Sequence, residues 1–166
     1  MSFPEAGDFK QPLNHMNRIL VVYHSQTGHT EKMAKAVADG AKAIERTEVI
    51  LKKAGEATLD DLLACSGLAI GTPENFGYIS GMIKDFFDRT YNGAQDKVFR
   101  KPYVVFISAG TDGSGALRAI ERIALGYKFK NVFTPVIAKG DITDEILKQC
   151  RELGGTLAGG CEMGIY

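Results

Sequence analysis

The sequence predicts one α/β domain: a five-stranded parallel sheet, ordered 2-1-3-4-5, wound on both faces by helices. Three observations lead to the class, and the order is one that such a domain commonly takes. Runs of strand length alternate five times with stretches of helical period, the βα repetition of a doubly wound domain. The first run, Arg18–Tyr23, is apolar on both faces, as strands covered on two sides are. The chain has 166 residues, a single domain's length, enough to bury roughly 70% of its unfolded surface.

The elements follow in order. Residues 1–17 carry Pro4, Gly7 and Pro12 without a sustained period. They read as an extension, loose or packed on a neighbouring subunit, before a domain over 18–166. After the first strand, His29 to Ile44 is helical, with Met33, Val37, Ala41 and Ile44 as its apolar stripe. Gly40 weakens that helix slightly. Glu48 to Leu51 is a short second strand. Thr58-Leu-Asp-Asp61 has the form of a capping box opening a short helix.

Gly67 to Gly71 is the third strand, ended by Thr72-Pro73. A long turn reaches Ser80, placed as an N-cap. From Gly81 the period puts Met82, Ile83, Phe86, Phe87 and Tyr91 on one helical face. Asn92 to Lys101 is polar and loop-like. Tyr103 to Ala109 is the fourth strand, followed by a small-residue turn, Gly110–Gly115, and a helix with Leu117, Ile120, Ile123 and Ala124 inside. The fifth strand, Asn131 to Ala138, is broken or set at an edge by Pro135. The last helix starts near Thr143 and turns Ile146, Cys150, Leu153 and Leu157 inward.

Composition excludes several functions. Twenty basic and twenty acidic residues cancel, which leaves no electrostatic case for nucleic acid or an anionic membrane. The same balance argues mildly against a small acidic carrier that docks by charge. Cys65, Cys150 and Cys161 fit no zinc or redox spacing and read as reduced, mostly buried thiols. No metal site is expected. The stretch before Ile19 is polar and the run from Ile19 is too short to span a bilayer, so a cytoplasmic protein is expected.

Chemistry is expected on three loops at the carboxyl ends of strands one, three and four: Ser25–Thr30, Pro73–Ser80 and Ser108–Gly115. In this strand order they surround the switch point between strands one and three. The first loop delivers Ser25, Thr27 and Thr30 onto a helix N-terminus, where hydroxyls and free N–H groups can converge on one anion. It lacks the Gly-Lys-Ser/Thr of a Walker loop and the three glycines of a dinucleotide turn. With no lysine or arginine, it suits a terminal phosphate monoester. The alternative is an ordinary strand-to-helix turn capped by Thr27 or Thr30. The other loops, with glycines at 77, 110, 113 and 115, suit a flat, polar-edged ring.

From Arg18 onward these residues resemble the flavodoxin-like FMN proteins. Ser25-x-Thr27-Gly28-x-Thr30 is similar to that family's phosphate loop. Pro73-x-x-Phe76-Gly77-x-x-Ser80-x-x-x-Lys84-x-Phe86-x-Asp88 is similar to the branch of NAD(P)H:quinone and flavin oxidoreductases. The resemblance implies FMN, with its phosphate on Ser25, Gln26, Thr27, Gly28, His29 and Thr30. It implies a ring edge on the backbone of Pro73, Glu74, Asn75, Phe76, Gly77 and Tyr78. Ser108, Ala109, Gly110, Thr111, Asp112, Gly113 and Gly115 would complete the ring and ribityl site. It further implies NAD(P)H as electron donor, a quinone or flavin as small-molecule acceptor, and a homodimer or homotetramer. The flavin N5 carries hydride in such sites, so no side chain need act as acid or base. Two departures stand out: flavodoxins usually carry Asn where His29 stands, and the reductase branch tends to carry a histidine in the third loop.

Individual residues keep two readings. His29 bonds the phosphate or is solvated in the first turn; the helix start favours the phosphate. Phe76 and Tyr78 cover a ring or pack the loop. Gly77 lets a peptide reorient, or simply permits positive φ. Glu74 is an exposed carboxylate whose side chain has no chemical role. Asp112 orders its own turn, and His24 is structural. The aromatic-free third loop leaves one ring face open to a nicotinamide or quinone, whereas a one-electron carrier reduced by a separate partner benefits from a sandwiched ring.

Overall fold

A computed structural model describes residues 16–166. The expected extension therefore lies outside the described residues, except for exposed Met16 and for Asn17, which opens the first strand. Six parallel strands form one sheet: β1 (Asn17–Tyr23), β2 (Thr47–Lys53), β3 (Gly67–Pro73), β4 (Pro102–Ala109), β5 (Lys130–Asn131) and β6 (Val136–Lys139). The order is β2-β1-β3-β4-β5, with β6 also paired to β4. This is the predicted order, with the expected fifth strand in two pieces. Lys130 and Asn131 pair Pro102 and Tyr103, and Val136–Lys139 pair Phe106–Ala109. Pro135, which has no N–H to give the ladder, lies between the pieces.

Helices α1 (His29–Lys42) and α5 (Asp144–Glu162) cover one face; α2 (Leu59–Ala64), α3 (Gly81–Ala94) and α4 (Ser114–Tyr127) cover the other. The period-2 geometry of a strand sorts β1 between the faces. Ile19, Val21 and Tyr23 pack with Met33, Val37, Leu153 and Leu157. Leu20 and Val22 pack with Leu62, Ile83, Phe86 and Ile120. Gly71 in β3 leaves the space that the Phe106 ring occupies.

Three helices carry side-chain caps, two of them, at Thr58 and Ser80, as the sequence suggested, and the third at the expected start of the last helix. Thr58 and Asp61 form the reciprocal capping box of α2. Ser80 accepts from Ile83 N in α3, and Thr143 from Ile146 N in α5. Some expectations need correction. Helix α1 stops at Lys42, short of Ile44, and β2 is longer than expected. Helix α3 runs on through Asn92 to Ala94, where a loop was expected. Within α3, Met82 and Tyr91 stay 39% and 38% exposed rather than turning inward. Leu117, Ile123 and Ile146 are half-buried.

The α1–α5 contact is close. A Cβ on Gly40 would overlap the Arg151 carbonyl, and one on Gly154 would overlap the Val37 carbonyl. Gly40 is thus a packing device rather than a weak point.

Candidate functional site

The first loop leaves β1 at His24, whose N–H donates to Gly71 O at 3.1 Å and so fixes the loop to the end of β3. Ser25 Oγ accepts from Gly28 N at 3.1 Å, closing a tight turn. Gly28 is the N-cap of α1 with φ of 96°, a conformation that costs only glycine little. Among the described residues no side chain caps this helix. Thr30 is buried, and its Oγ1 shares a 2.8 Å hydrogen bond with Ser108 Oγ at the end of β4. Two hydroxyls hold two hydrogens and that bond uses one, so the pair retains a donor.

The second loop is a small hairpin. Asn75 N donates to Tyr78 O and Tyr78 N to Asn75 O, both at 2.9 Å. Phe76 and Gly77 form its tip with φ of 51° and 68°. Positive φ at both central residues is the type I′ pattern, which suits Gly77 and strains Phe76. The Phe76 side chain stands wholly in solvent at the tip. At the base, Thr72 Oγ1 accepts from Ser80 N at 3.1 Å, and Glu74 N donates to Ser108 O at 2.8 Å.

The third loop orders itself as expected. Asp112 Oδ1 accepts from Ser114 N at 3.0 Å and Ser114 Oγ at 2.8 Å. The Ser114 backbone N–H, foremost, holds the Asp112 carboxyl below its ordinary value.

Glu74 corrects the sequence reading. Its Oε2 accepts from Gly115 N at 3.0 Å and Ala116 N at 3.1 Å, and its Oε1 accepts from Thr111 Oγ1 at 3.0 Å. The carboxylate supplies the cap that Gly113 cannot give α4. The sequence carries no signal for this, because donor and acceptor lie about forty residues apart.

These loops enclose a cleft of about 220 Å³. Gln26, Thr27, His29 and Thr30 line it from the first loop, Pro73, Glu74 and Asn75 from the second, and Ser108, Ala109 and Gly110 from the third. Gly140, which follows β6, completes the wall and was missed. The rule that ligands bind at the carboxyl ends of strands could have pointed to it. Among the predicted residues, Ser25, Gly28, Phe76, Gly77, Tyr78, Thr111, Asp112, Gly113 and Gly115 shape the loops without lining this cleft.

His24 is half-buried and also outside the cleft wall; burial lowers its pKa. Two larger hollows, of about 340 and 350 Å³, lie between α3 and α4 around Tyr91 and Tyr127 and share no residue with the loops. Among the described residues, no group of three His, Cys, Asp or Glu side chains is placed to hold a metal ion. No described helix is long and apolar enough to cross a membrane.

The donor set fits a phosphate ester. Side chains close the N-termini of α2, α3, α4 and α5: Thr58, Ser80, Glu74 and Thr143 in turn. The N-terminus of α1 has no such partner, and it borders the cleft through His29 and Thr30. Open first-turn N–H groups and the positive end of the helix dipole can both serve an anion there.

Comparison with known proteins agrees. The family model described as Flavodoxin matches residues 21–154. A flavodoxin of Aquifex aeolicus is 36% identical over 159 residues, covering 86% of each chain. An NAD(P)H dehydrogenase (quinone) of Acidithiobacillus ferrooxidans is 36% identical over 121 residues, and this chain spans 60% of that protein's length. A solved flavodoxin from the domain Archaea superposes with a TM-score of 0.76 over 87% of this chain and 99% of its own, at 23% identity. Strand order, an open helix N-terminus at the switch point and these matches agree: the chain belongs to the flavodoxin family.

Proposed function

We propose that this protein uses FMN, held in the cleft, to pass electrons from NAD(P)H to a quinone or similar small acceptor. The family implies the cofactor. Bound FMN would supply the redox chemistry, accepting hydride and releasing it as the acceptor requires. The chain would supply grip and exposure. Ser25, Gln26, Thr27, Gly28, His29 and Thr30 would hold the phosphate on the open end of α1. Backbone from Pro73 to Tyr78 and from Ser108 to Gly115 would frame the ring. Backbone N–H groups along these loops would favour negative charge on the reduced ring.

One observation supports an enzyme over a shuttle: among the described residues no aromatic side chain lines the cleft. Phe76 points into solvent, and Tyr78 is 45% exposed outside the cleft wall. A ring framed by Thr27, Asn75, Ala109 and Gly110 keeps a face free for a nicotinamide or a flat acceptor to stack. In this reading the exposed Phe76 tip meets a further subunit of a homodimer or homotetramer.

A second reading rests on the 36% identity to the Aquifex flavodoxin over most of both chains: a one-electron carrier reduced by another protein. Anaerobic addition of NADPH to the FMN-loaded protein separates the two. Bleaching of the flavin bands faster than for free FMN, in one two-electron stage, supports the reductase. A bound flavin that ignores NADPH and pauses after one electron from a chemical reductant supports the carrier. Absence of FMN binding overturns both.

A further inference from the structure

The Glu74 contacts reach beyond capping a helix. One carboxylate joins the hairpin that forms one wall of the cleft to the loop and helix that form another. Both oxygens are engaged, each on the same neighbouring segment: Oε2 on the Gly115 and Ala116 amides, Oε1 on the Thr111 hydroxyl. Beside them the hairpin tip is seated on α4, since a Cβ on Gly115 would overlap the Gly77 carbonyl oxygen. Glu74 N is itself bound to Ser108 O, so the segment is tied at both backbone and side chain.

We propose that Glu74 is a positioning residue for the ring site. It bolts the 73–78 hairpin to the 111–116 segment, so that both walls meet a planar heterocycle as one preformed body. The Gly77–Gly115 contact is the second bolt. This rests on the reading of the cleft as an FMN site. A preformed site avoids ordering two loops at the moment of binding, which is where its affinity gain arises. Glutamine can reproduce the arrangement without charge. Its oxygen accepts the two amides, and its NH₂ turns to the Thr111 hydroxyl, which then accepts. Alanine removes all three contacts.

The test measures FMN dissociation constants for the full-length wild type and for Glu74→Gln, Glu74→Ala and Gly115→Ala. Hydrogen exchange of the Gly115 and Ala116 amides is followed on the flavin-free proteins. Glu74→Gln is expected to stay within about 3-fold of wild type on both readouts. Glu74→Ala is expected to lose amide protection and to weaken FMN binding by about 10-fold or more, since it leaves two amides and a hydroxyl without their partner and frees the two walls from each other. Gly115→Ala keeps Glu74 but unseats the hairpin, and a similar weakening is expected. If Glu74→Ala loses amide protection yet binds FMN like wild type, the carboxylate only caps α4 and the proposal is overturned. It is overturned equally if Glu74→Gln falls as far as Glu74→Ala, because charge and not geometry then matters. A wild type that binds no FMN overturns the cleft reading itself, an outcome separate from either of these.

Discussion

Gly154→Ala is the sharpest test of how the two helices on one face of the sheet meet. The new Cβ would overlap the Val37 carbonyl oxygen of α1. That atom belongs to a helical backbone, so no rotamer change relieves the overlap and the helices must separate. Separation would loosen the seam among Met33, Val37, Leu153 and Leu157, all fully buried. Alanine in a helix interior gains about 1 kcal/mol over glycine. Overpacking costs about 1–3 kcal/mol, with the upper end expected where backbone blocks the site. The net expectation is a loss of about 2 kcal/mol, or roughly 4–8 °C in Tm for a domain of this size. Gly155 is the internal control. Its Cβ would lie 3.5 Å from the Gly40 carbonyl, an ordinary contact. Gly155→Ala should therefore gain about 0.5–1 kcal/mol from helix propensity. Urea unfolding of both variants, followed by circular dichroism in the flavin-free protein, reads the two signs. A Gly154→Ala protein as stable as wild type would refute the backbone contact, as would adjacent substitutions that shift stability alike.

Three further outcomes are expected. Thr30→Val strands the buried Ser108 hydroxyl and should cost about 1–3 kcal/mol in urea unfolding; the same variant should bind FMN more weakly. Phe76→Asn replaces a strained aromatic, wholly exposed at φ 51°, with a residue suited to a type I′ tip. At concentrations where the chain is a monomer it should raise stability by about 1 kcal/mol. A Tm that falls there would refute the strain argument, whereas a fall confined to high concentration reports the subunit contact proposed for this tip. Burial pushes the Cys150 thiol up to about 12 from an ordinary 9.0. A raised folded-state value means that the stabilisation is complete below pH 9 and is lost as pH climbs towards 12. The slope is at most about 1.4 kcal/mol per pH unit, and Cys150→Ala should remove this part of the alkaline loss.

The parts of this fold that periodicity governs were legible, and the parts set by distant contacts were not. Strand and helix types follow from apolar spacing, the strand order came with the doubly wound class they imply, and Thr58 and Ser80 announced their helices by local capping chemistry. The run from Asn92 looked like a loop because it is polar, and Gly93 is a poor helix former in isolation. In the fold Gly93 continues α3, where a Cβ would strike Leu59 of α2. Gly40 and Gly154 share that logic: each looks weak alone, and only the crossing of α1 and α5 explains it. At the site, the first loop's place on the cleft beside an uncapped helix start could be read because its residues are consecutive. Glu74 could not, because its meaning depends on amides 41 and 42 residues downstream. The cleft's lack of aromatics was foreseen for the third loop only. That Phe76 and Tyr78 also stay outside it was not legible, because their exposure is set by how the hairpin is seated on α4.

The pattern of capping carries the functional argument furthest. A good side-chain cap is worth about 1 kcal/mol, and four of the five helices among the described residues have one, whether local or from a neighbouring loop. Helix α1 forgoes it. Gly28 at φ 96° offers no side chain, and its left-handed backbone departs from the extended conformation in which Ser or Asp caps a helix. Ser25 turns its oxygen to Gly28 N rather than into the first turn of α1, and Thr30 turns to Ser108. Every local hydroxyl with a bond in this structure is thus aimed at holding the loop's shape, leaving the helix end for something external. An anion bound there completes the fold as well as the site. Ligand binding and folding are then linked, with a gain of about 2.7 kcal/mol when the ligand reaches a hundred times its dissociation constant. The uncapped end of α1 is, in the proposed reading, part of the phosphate site.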